Sequence, residues 1–273
     1  MALNLSFPDS IYTEANKPVA ATLKADLAAI ETEVNTIVKA TGAEINTGTN
    51  DAKFATAKAI TDSKLTDAIR RDGWLTVADS WAYASASTIT VPSGAASLYQ
   101  KGDKIKLTQT TVKYFYIIGV ADTVLTVTGG SNYTVANAAI TSPFYSHQES
   151  PIGFPQYFNY VPIYGGFSVA PTVVYVIFSL IGSLCTLRIR TTGGTSNNTV
   201  FTYTAPIAGA NISGGQGDSV PIATDNGTRF GGAICSIQAN STTIDLYKNG
   251  GLTVWTASGA KNTELFNITY IIA

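Results

Sequence analysis

Leu265-Phe266-Asn267-Ile268-Thr269-Tyr270-Ile271-Ile272 alternates in period two. Phe266, Ile268, Tyr270 and Ile272 fall on one face; Leu265, Asn267, Thr269 and Ile271 fall on the other. Successive side chains of a strand point to opposite faces, so the run reads as β rather than helix. One face can fill a core, and the large apolar residues on the other predict a subunit interface. Upstream, Cys185, Leu187 and Ile189 alternate with Thr186, Arg188 and Arg190. Val173–Leu180 is apolar on both faces and predicts a strand buried on both. Phe201 with Tyr203, Ile234-Cys235-Ser236-Ile237, Ile244 with Leu246, and Leu252–Trp255 read as further strands. Gly193-Gly194, Gly214-Gly215, Asn226-Gly227 and Asn249-Gly250-Gly251 separate them at the spacing of a sandwich or jelly roll. Residues 161–273 are therefore expected to form a β-sandwich head.

Before the head, residues 144–160 are rich in Pro, Gly and aromatics and predict an ordered connector, because those aromatics need burial. Residues 73–143 again alternate in period two. Ile105, Leu107 and Gln109 face one way; Lys104, Lys106 and Thr108 face the other. Phe115, Ile117 and Val124-Leu125-Thr126-Val127 continue the pattern, with turns at Gly102-Asp103 and Gly129-Gly130. A small antiparallel barrel or sandwich of five or six strands follows. Lys101-Gly102-Asp103 looks like an integrin tripeptide on paper, but a tight turn between strands explains it.

Charge concentrates at the other end. Residues 1–72 hold 10 acidic and 8 basic side chains, residues 73–143 hold 3 and 4, and residues 144–273 hold 5 and 5. Helices with charged outer faces give way to sheet and turns, so 1–72 is expected to be a helical stalk. After Pro18, a plausible first-turn residue, Leu23, Leu27, Ile30, Val34 and Ile37 are spaced 4, 3, 4, 3. That is a heptad seam, with Ala20, Leu27 and Val34 at a and Leu23, Ile30 and Ile37 at d. Ile at d leans toward three or four strands rather than two. A seam of about three heptads is marginal alone. The alternative is an amphipathic helix packed on its own domain. Thr41-Gly42 to Asn50 breaks the helix, a second helix is expected from about Thr56 to Arg71, and Gly73 fits its C′ stop.

The whole chain bounds the function. At roughly 150 residues per domain, 273 residues make one large domain or two to three small ones. A net charge of −1, with only 13% of residues charged against about 25% on average, argues against nucleic acid or anionic lipid as partner. Two cysteines exclude a disulfide scaffold, and one histidine with two cysteines excludes most zinc sites. No window approaches the about 18 apolar residues of a membrane span, so no membrane insertion is expected. The start lacks a basic, apolar leader, so a product made and kept in a cytoplasm is expected.

Three segments carry a family resemblance. Thr47-Gly48-Thr49-Asn50-Asp51-Ala52-Lys53-Phe54-Ala55-Thr56-Ala57-Lys58-Ala59-Ile60 is similar to a segment that precedes shafts in tail-fibre and baseplate proteins of tailed bacteriophages, where Pro often stands at the place of Ala57. Trp81-Ala82-Tyr83-Ala84 and Lys104 to Phe115, with Ala136 to Pro143, resemble a module recurring in phage tail and minor structural proteins. Ser6-Phe7-Pro8-Asp9-Ser10-Ile11 resembles their attachment end. Together these cover about residues 1–155. The resemblance implies a virion fibre or receptor-binding protein: an elongated homotrimer joined through its N-terminus to tail, baseplate or capsid proteins.

Catalytic arrangements are sparse. His147, the single histidine, lies in the connector and reads as packed or surface. Cys185 and Cys235 sit in apolar strand patterns and read as buried thiols. No Walker sequence is present. A glycosidase needs two carboxylates about 5–10 Å apart, and Asp218 with Asp225 is the available pair. Asp225-Asn226-Gly227 reads as a hairpin turn or the start of a calcium loop. No enzyme, cofactor or metal is expected. Two classes remain: a trimeric fibre whose head binds a host-surface saccharide, or a capsid fibre, decoration or baseplate spacer with a purely structural role. For the first class Tyr203, Asn226, Arg229 and Trp255 are the candidate receptor-binding residues, since aromatic faces and amide or guanidinium groups suit sugars.

Overall fold

The computed structural model describes residues 24–25, 27–30, 57–61, 72–214, 216–219 and 221–273, in two units, Met1–Ile69 and Arg70–Ala273. In the first unit, residues 24–25 and 27–30 are helical, as the heptad spacing requires, and Leu27 and Ile30 are 40% and 45% exposed. A short helix, α1 (Ala57–Thr61), falls inside the second predicted helix. Leu23, Val34 and Ile37 of the seam, and the remainder of both predicted helices, lie outside the described residues.

The second unit is mainly β, and its strands pair antiparallel. Its first sheet contains β1 (Leu75–Thr76), β2 (Ala82–Ser85), β3 (Thr88–Thr90), β4 (Lys104–Thr108), β5 (Val112–Ala121), β6 (Val124–Thr128) and β7 (Thr141–Ser146), in the order β1-β7-β4-β5-β6-β3-β2. Ile105, Leu107, Phe115, Ile117, Leu125 and Val127 point to one side and are buried with Trp81, Ile89 and Tyr99, as the alternation requires. A four-residue helix, α2 (Ala95–Leu98), closes that core through Ala95. Seven strands form where five or six were expected. The sequence hides β7 because Ser142-Pro143 looks like a break; instead Pro143 offers its carbonyl to the Val77 amide at 3.3 Å, an acceptor role that needs no N–H.

The head comprises β8 (Phe158–Asn159), β9 (Tyr164–Gly165), β10 (Phe167–Val169), β11 (Thr172–Ile181), β12 (Leu184–Thr192), β13 (Thr195–Ser196), β14 (Thr202–Thr204), β15 (Gln216–Ser219), β16 (Ile222–Asp225), β17 (Thr228–Phe230), β18 (Ile234–Ile237), β19 (Thr243–Tyr247) and β20 (Lys261–Ile271). One sheet runs β17-β16-β20-β12-β11-β8 and the other β15-β18-β19-β14-β9, while β10 and β13 form a separate ribbon. The two larger sheets face each other over one core. Val176, Phe178 and Leu180 meet Cys185, Leu187 and Ile189 and Phe266, Ile268 and Tyr270 from one side. Tyr203, Cys235, Ile237, Ile244 and Leu246 come from the other. The opening alternation therefore sorts as read: Phe266, Ile268, Tyr270 and Ile272 are buried, while Leu265, Asn267, Thr269 and Ile271 are exposed.

Two strand expectations differ from the structure. Val173–Leu180 buries only Val176, Phe178 and Leu180, one alternating face; Val173 and Val174 are both exposed, at the register shift that interrupts the pairing of β11 with β12 between Val173 and Tyr175. Leu252–Trp255 is not a strand. The Asn249 carboxamide oxygen accepts the Gly251 amide at 3.0 Å and the Thr253 hydroxyl at 3.0 Å, which folds the segment into a side-chain-bridged turn. Leu252 accordingly takes φ 56.

The expected connector is ordered and carries strand at both ends: β7 begins before it and pairs with β4, and β8 near its end pairs with β11. Between them Phe154 lies 5.0 Å from Tyr116 of β5 and 5.7 Å from Phe158, ring centre to ring centre. Tyr116 itself belongs to the head core. Residues 70–273 thus form one unit, and the small β module and the head share aromatic packing rather than standing as separate bodies. This also accounts for Lys104, which faces away from Ile105 and Leu107 yet is buried: its ammonium lies 6.0 Å from the Tyr116 ring, and burial lowers its pKa.

Candidate ligand site

Two of the four sequence candidates for receptor binding are core residues. Tyr203 is fully buried on β14; its hydroxyl lies 2.8 Å from Thr263 Oγ1 and 3.3 Å from Thr191 Oγ1. Trp255 is 2% exposed, packs 4.8 Å from the Phe201 ring, and donates its indole N–H to the Leu246 carbonyl at 2.7 Å. Neither ring is available to a ligand. Their residue types suited sugar binding, but in this two-sheet head both rings belong to the core between the sheets.

Asn226 and Arg229 are exposed on the β16–β17 hairpin. Asn226 and Gly227 have φ 48 and 79, which is the I′ hairpin geometry that favours Asn-Gly. The hairpin reading of Asp225-Asn226-Gly227 holds. Arg229 directs Nε and one terminal nitrogen at both oxygens of Glu264, at 2.5 and 2.9 Å. That hydrogen-bonded pair raises the Arg229 pKa and lowers that of Glu264. The guanidinium fork is already filled.

The chemistry-bearing residues are similarly committed. Burial pushes the Asp225 carboxyl up, but hydrogen bonds from Lys248 and Thr256 outweigh it and hold the pKa below the usual range. Asp225 thereby anchors the loop that follows β19: Thr256 donates its amide at 3.0 Å and its hydroxyl at 2.8 Å, and Lys248 pairs with it directly. His147 Nδ1 bonds the buried carboxylate of Asp103 at 2.9 Å. Asp103 also accepts the Gln100 amide, so Lys101-Gly102-Asp103 is the tight turn expected, with its acid turned inward. Cys185 and Cys235 are both buried, and burial pushes the Cys185 thiol up to about 12. Among the described residues no group of three or more His, Cys, Asp or Glu is placed to hold a metal, and no helix is long and apolar enough to cross a membrane.

A different set of side chains is left uncommitted, and it lies on the outer face of the six-stranded sheet. The strand registers build it directly. On β11 and β12, Ser179 pairs with Thr186 and Ile177 with Arg188, while Thr186 and Arg188 face Thr269 and Asn267 of β20. On the opposite edge, Phe158 and Asn159 pair with Phe178 and Ile177, so Tyr157 emerges at the end of β8 on the outer side. Gln156, Tyr157, Ile177, Ser179, Thr186 and Arg188 line a cleft of about 220 Å3. Tyr157 is 54% exposed. Thr186 Oγ1 lies 3.1 Å from Thr269 Oγ1, but the side chains of Gln156, Ser179 and Arg188 make no hydrogen bond or ion pair among the described residues. An aromatic face, an amide, a hydroxyl and a guanidinium therefore converge on one open trough.

Sequence reasoning missed this set because it ranked residues by type and not by face. The signal existed: Thr186, Arg188 and Arg190 alternate against three apolar residues, which puts two cations on one exposed strand face of a nearly neutral chain. No family model matches the chain, and no curated protein matches it either.

Proposed function

We propose that this chain is a virion fibre subunit of a tailed bacteriophage: a homotrimer held by its N-terminal helices, attached through its N-terminus to tail, baseplate or capsid proteins. Its C-terminal β-sandwich binds a host-surface glycan and does no chemistry upon it. The observation that carries the reading is the pair Leu27 and Ile30. They sit three apart on helical residues and remain 40% and 45% exposed, so aliphatic side chains at seam positions still offer area to partners. Bringing such a seam together removes apolar surface from water at about 25 cal/mol per Å2. The outer face of the head supports the second half, because a cleft of uncommitted polar groups beside an exposed ring is suited to hydroxyl-rich ligands. Three linked copies of a weak site would reinforce one another through effective concentration.

Sedimentation of the full chain tests the assembly: a particle of about three times 28.7 kDa is expected, and a monomer at micromolar concentration would overturn it. Binding of the full-length protein to host cell envelopes tests the adhesion. Absence of binding by trimers, with intact virions attaching normally, would assign the protein a purely structural place.

A further inference from the structure

We propose that the cleft on the outer sheet face takes an anionic saccharide, with its carboxylate or phosphate on Arg188 and a sugar ring against Tyr157. The inference rests on the glycan-binding reading of the head and names the ligand class.

The argument starts from where the head's positive charge goes. Residues 144–273 contain five cations. Lys261 is buried on two backbone carbonyls, Lys248 pairs with Asp225, and Arg229 is bidentate on Glu264. Arg190 lies close enough to Glu264 to depress its pKa. Arg188 has no such partner among the described residues, yet it stands on a rigid central strand bonded on both sides to β11 and β20. A long side chain held at its base and free at its fork is prepared for a planar anion, because guanidinium matches carboxylate and phosphate through two parallel N–H donors.

The surroundings restrict the anion to one carried on a sugar. Tyr157 and Arg188 stand on strands separated by β11, so about 10 Å of trough lies between them at ordinary strand spacing. A bare inorganic anion would contact Arg188 and leave that length empty. A pyranose ring would span it, laying its C–H face on the Tyr157 ring while its hydroxyls meet Gln156, Ser179 and Thr186. Every group in the trough is then used, and none is left desolvated without a partner.

The test uses full-length protein and immobilised polysaccharides in matched pairs: polygalacturonate against its methyl ester, and phosphomannan against the dephosphorylated mannan. Binding to at least one acidic member is expected to exceed its neutral match by about tenfold or more, and to weaken with added salt. The pair that responds separates carboxylate from phosphate. Arg188→Gln is expected to reduce acidic binding to the neutral level, and Tyr157→Ala to weaken it. Asn226→Ala, on the distant hairpin, is expected to bind as the parent does. Arg188 has no side-chain partner among the described residues, so the melting temperature of Arg188→Gln should match the parent and binding loss is not unfolding. Equal binding within every pair, or unchanged binding by Arg188→Gln, overturns the anionic assignment and leaves the glycan reading in place. No binding to any polysaccharide in the panel overturns both.

Discussion

Lys261 is the residue at which charge and burial conflict most directly. It occupies an inward position on β20, and Nζ donates to the carbonyls of Asn198 at 3.1 Å and Val200 at 2.7 Å. The Phe167 and Phe201 rings lie 4.6 and 5.3 Å from the ammonium. Burial lowers its pKa to about 8 from the ordinary 10.5, with Asp225 opposing the shift. Below about pH 8 both folded and unfolded chains carry the proton, and the burial penalty is fully felt. Between about 8 and 10.5 the unfolded chain binds more protons than the folded one, so stability from this group rises with pH. Denaturant midpoints of the parent and Lys261→Met will check the sign. The parent should gain roughly 1–2 kcal/mol on the variant between pH 7 and 9.5, at about 1.4 kcal/mol per pKa unit. At pH 7 the variant should still be the weaker, because two carbonyls lose their donor.

Among the elements, the turns decide how strands are aimed. The turn before β4 meets the β11–β12 hairpin at Gly102, which has φ +90. A methyl group there would overlap the Gly182 carbonyl, so both backbone conformation and space require glycine. Gly102→Ala should destabilise residues 70–273 by about 2 kcal/mol or more, read as a lowered melting temperature, and the loss should exceed that of Gly227→Ala, whose surroundings are open. Period two made most of these elements legible. β12, β19 and the end of β20 alternate cleanly, so their inward residues follow from the chain. What resisted reading were features set by contact rather than pattern. β7 contains a proline, β8 has only two residues, and the bend at Leu252 depends on one carboxamide. The cleft resisted for the same reason. Gln156 and Tyr157 are brought to Arg188 only by the pairing of β8 with β11, which no local spacing announces. Tyr203 misled because an aromatic on an alternating strand looks the same whether its face turns inward or outward, and Trp255 because the loop that buries it is not a strand at all.

At the scale of the whole molecule, the reading turns on whether the seam joins copies. Leu27→Asp with Ile30→Asp places charge at two seam positions, where it would have to be desolvated on assembly. The double variant should sediment as a monomer while the near-ultraviolet circular dichroism of the aromatic-rich 70–273 unit stays unchanged. A variant that keeps the parent's sedimentation would remove the helices from the account of assembly. Avidity gives a second readout: loss of assembly should weaken binding to a dense glycan surface far more than it weakens binding to a soluble monovalent sugar.

The strand order of the head has a consequence for synthesis. β20 lies between β12 and β16, so the last strand of the sandwich in chain order is also an interior one. Until residues 261–271 emerge from the ribosome, β12 and β16 each keep an open edge, and the apolar side chains destined for the core have no complete second wall. The nascent head must therefore wait, exposed, for its final segment. Translation that stops short of β20 yields a sticky fragment and not a smaller working head.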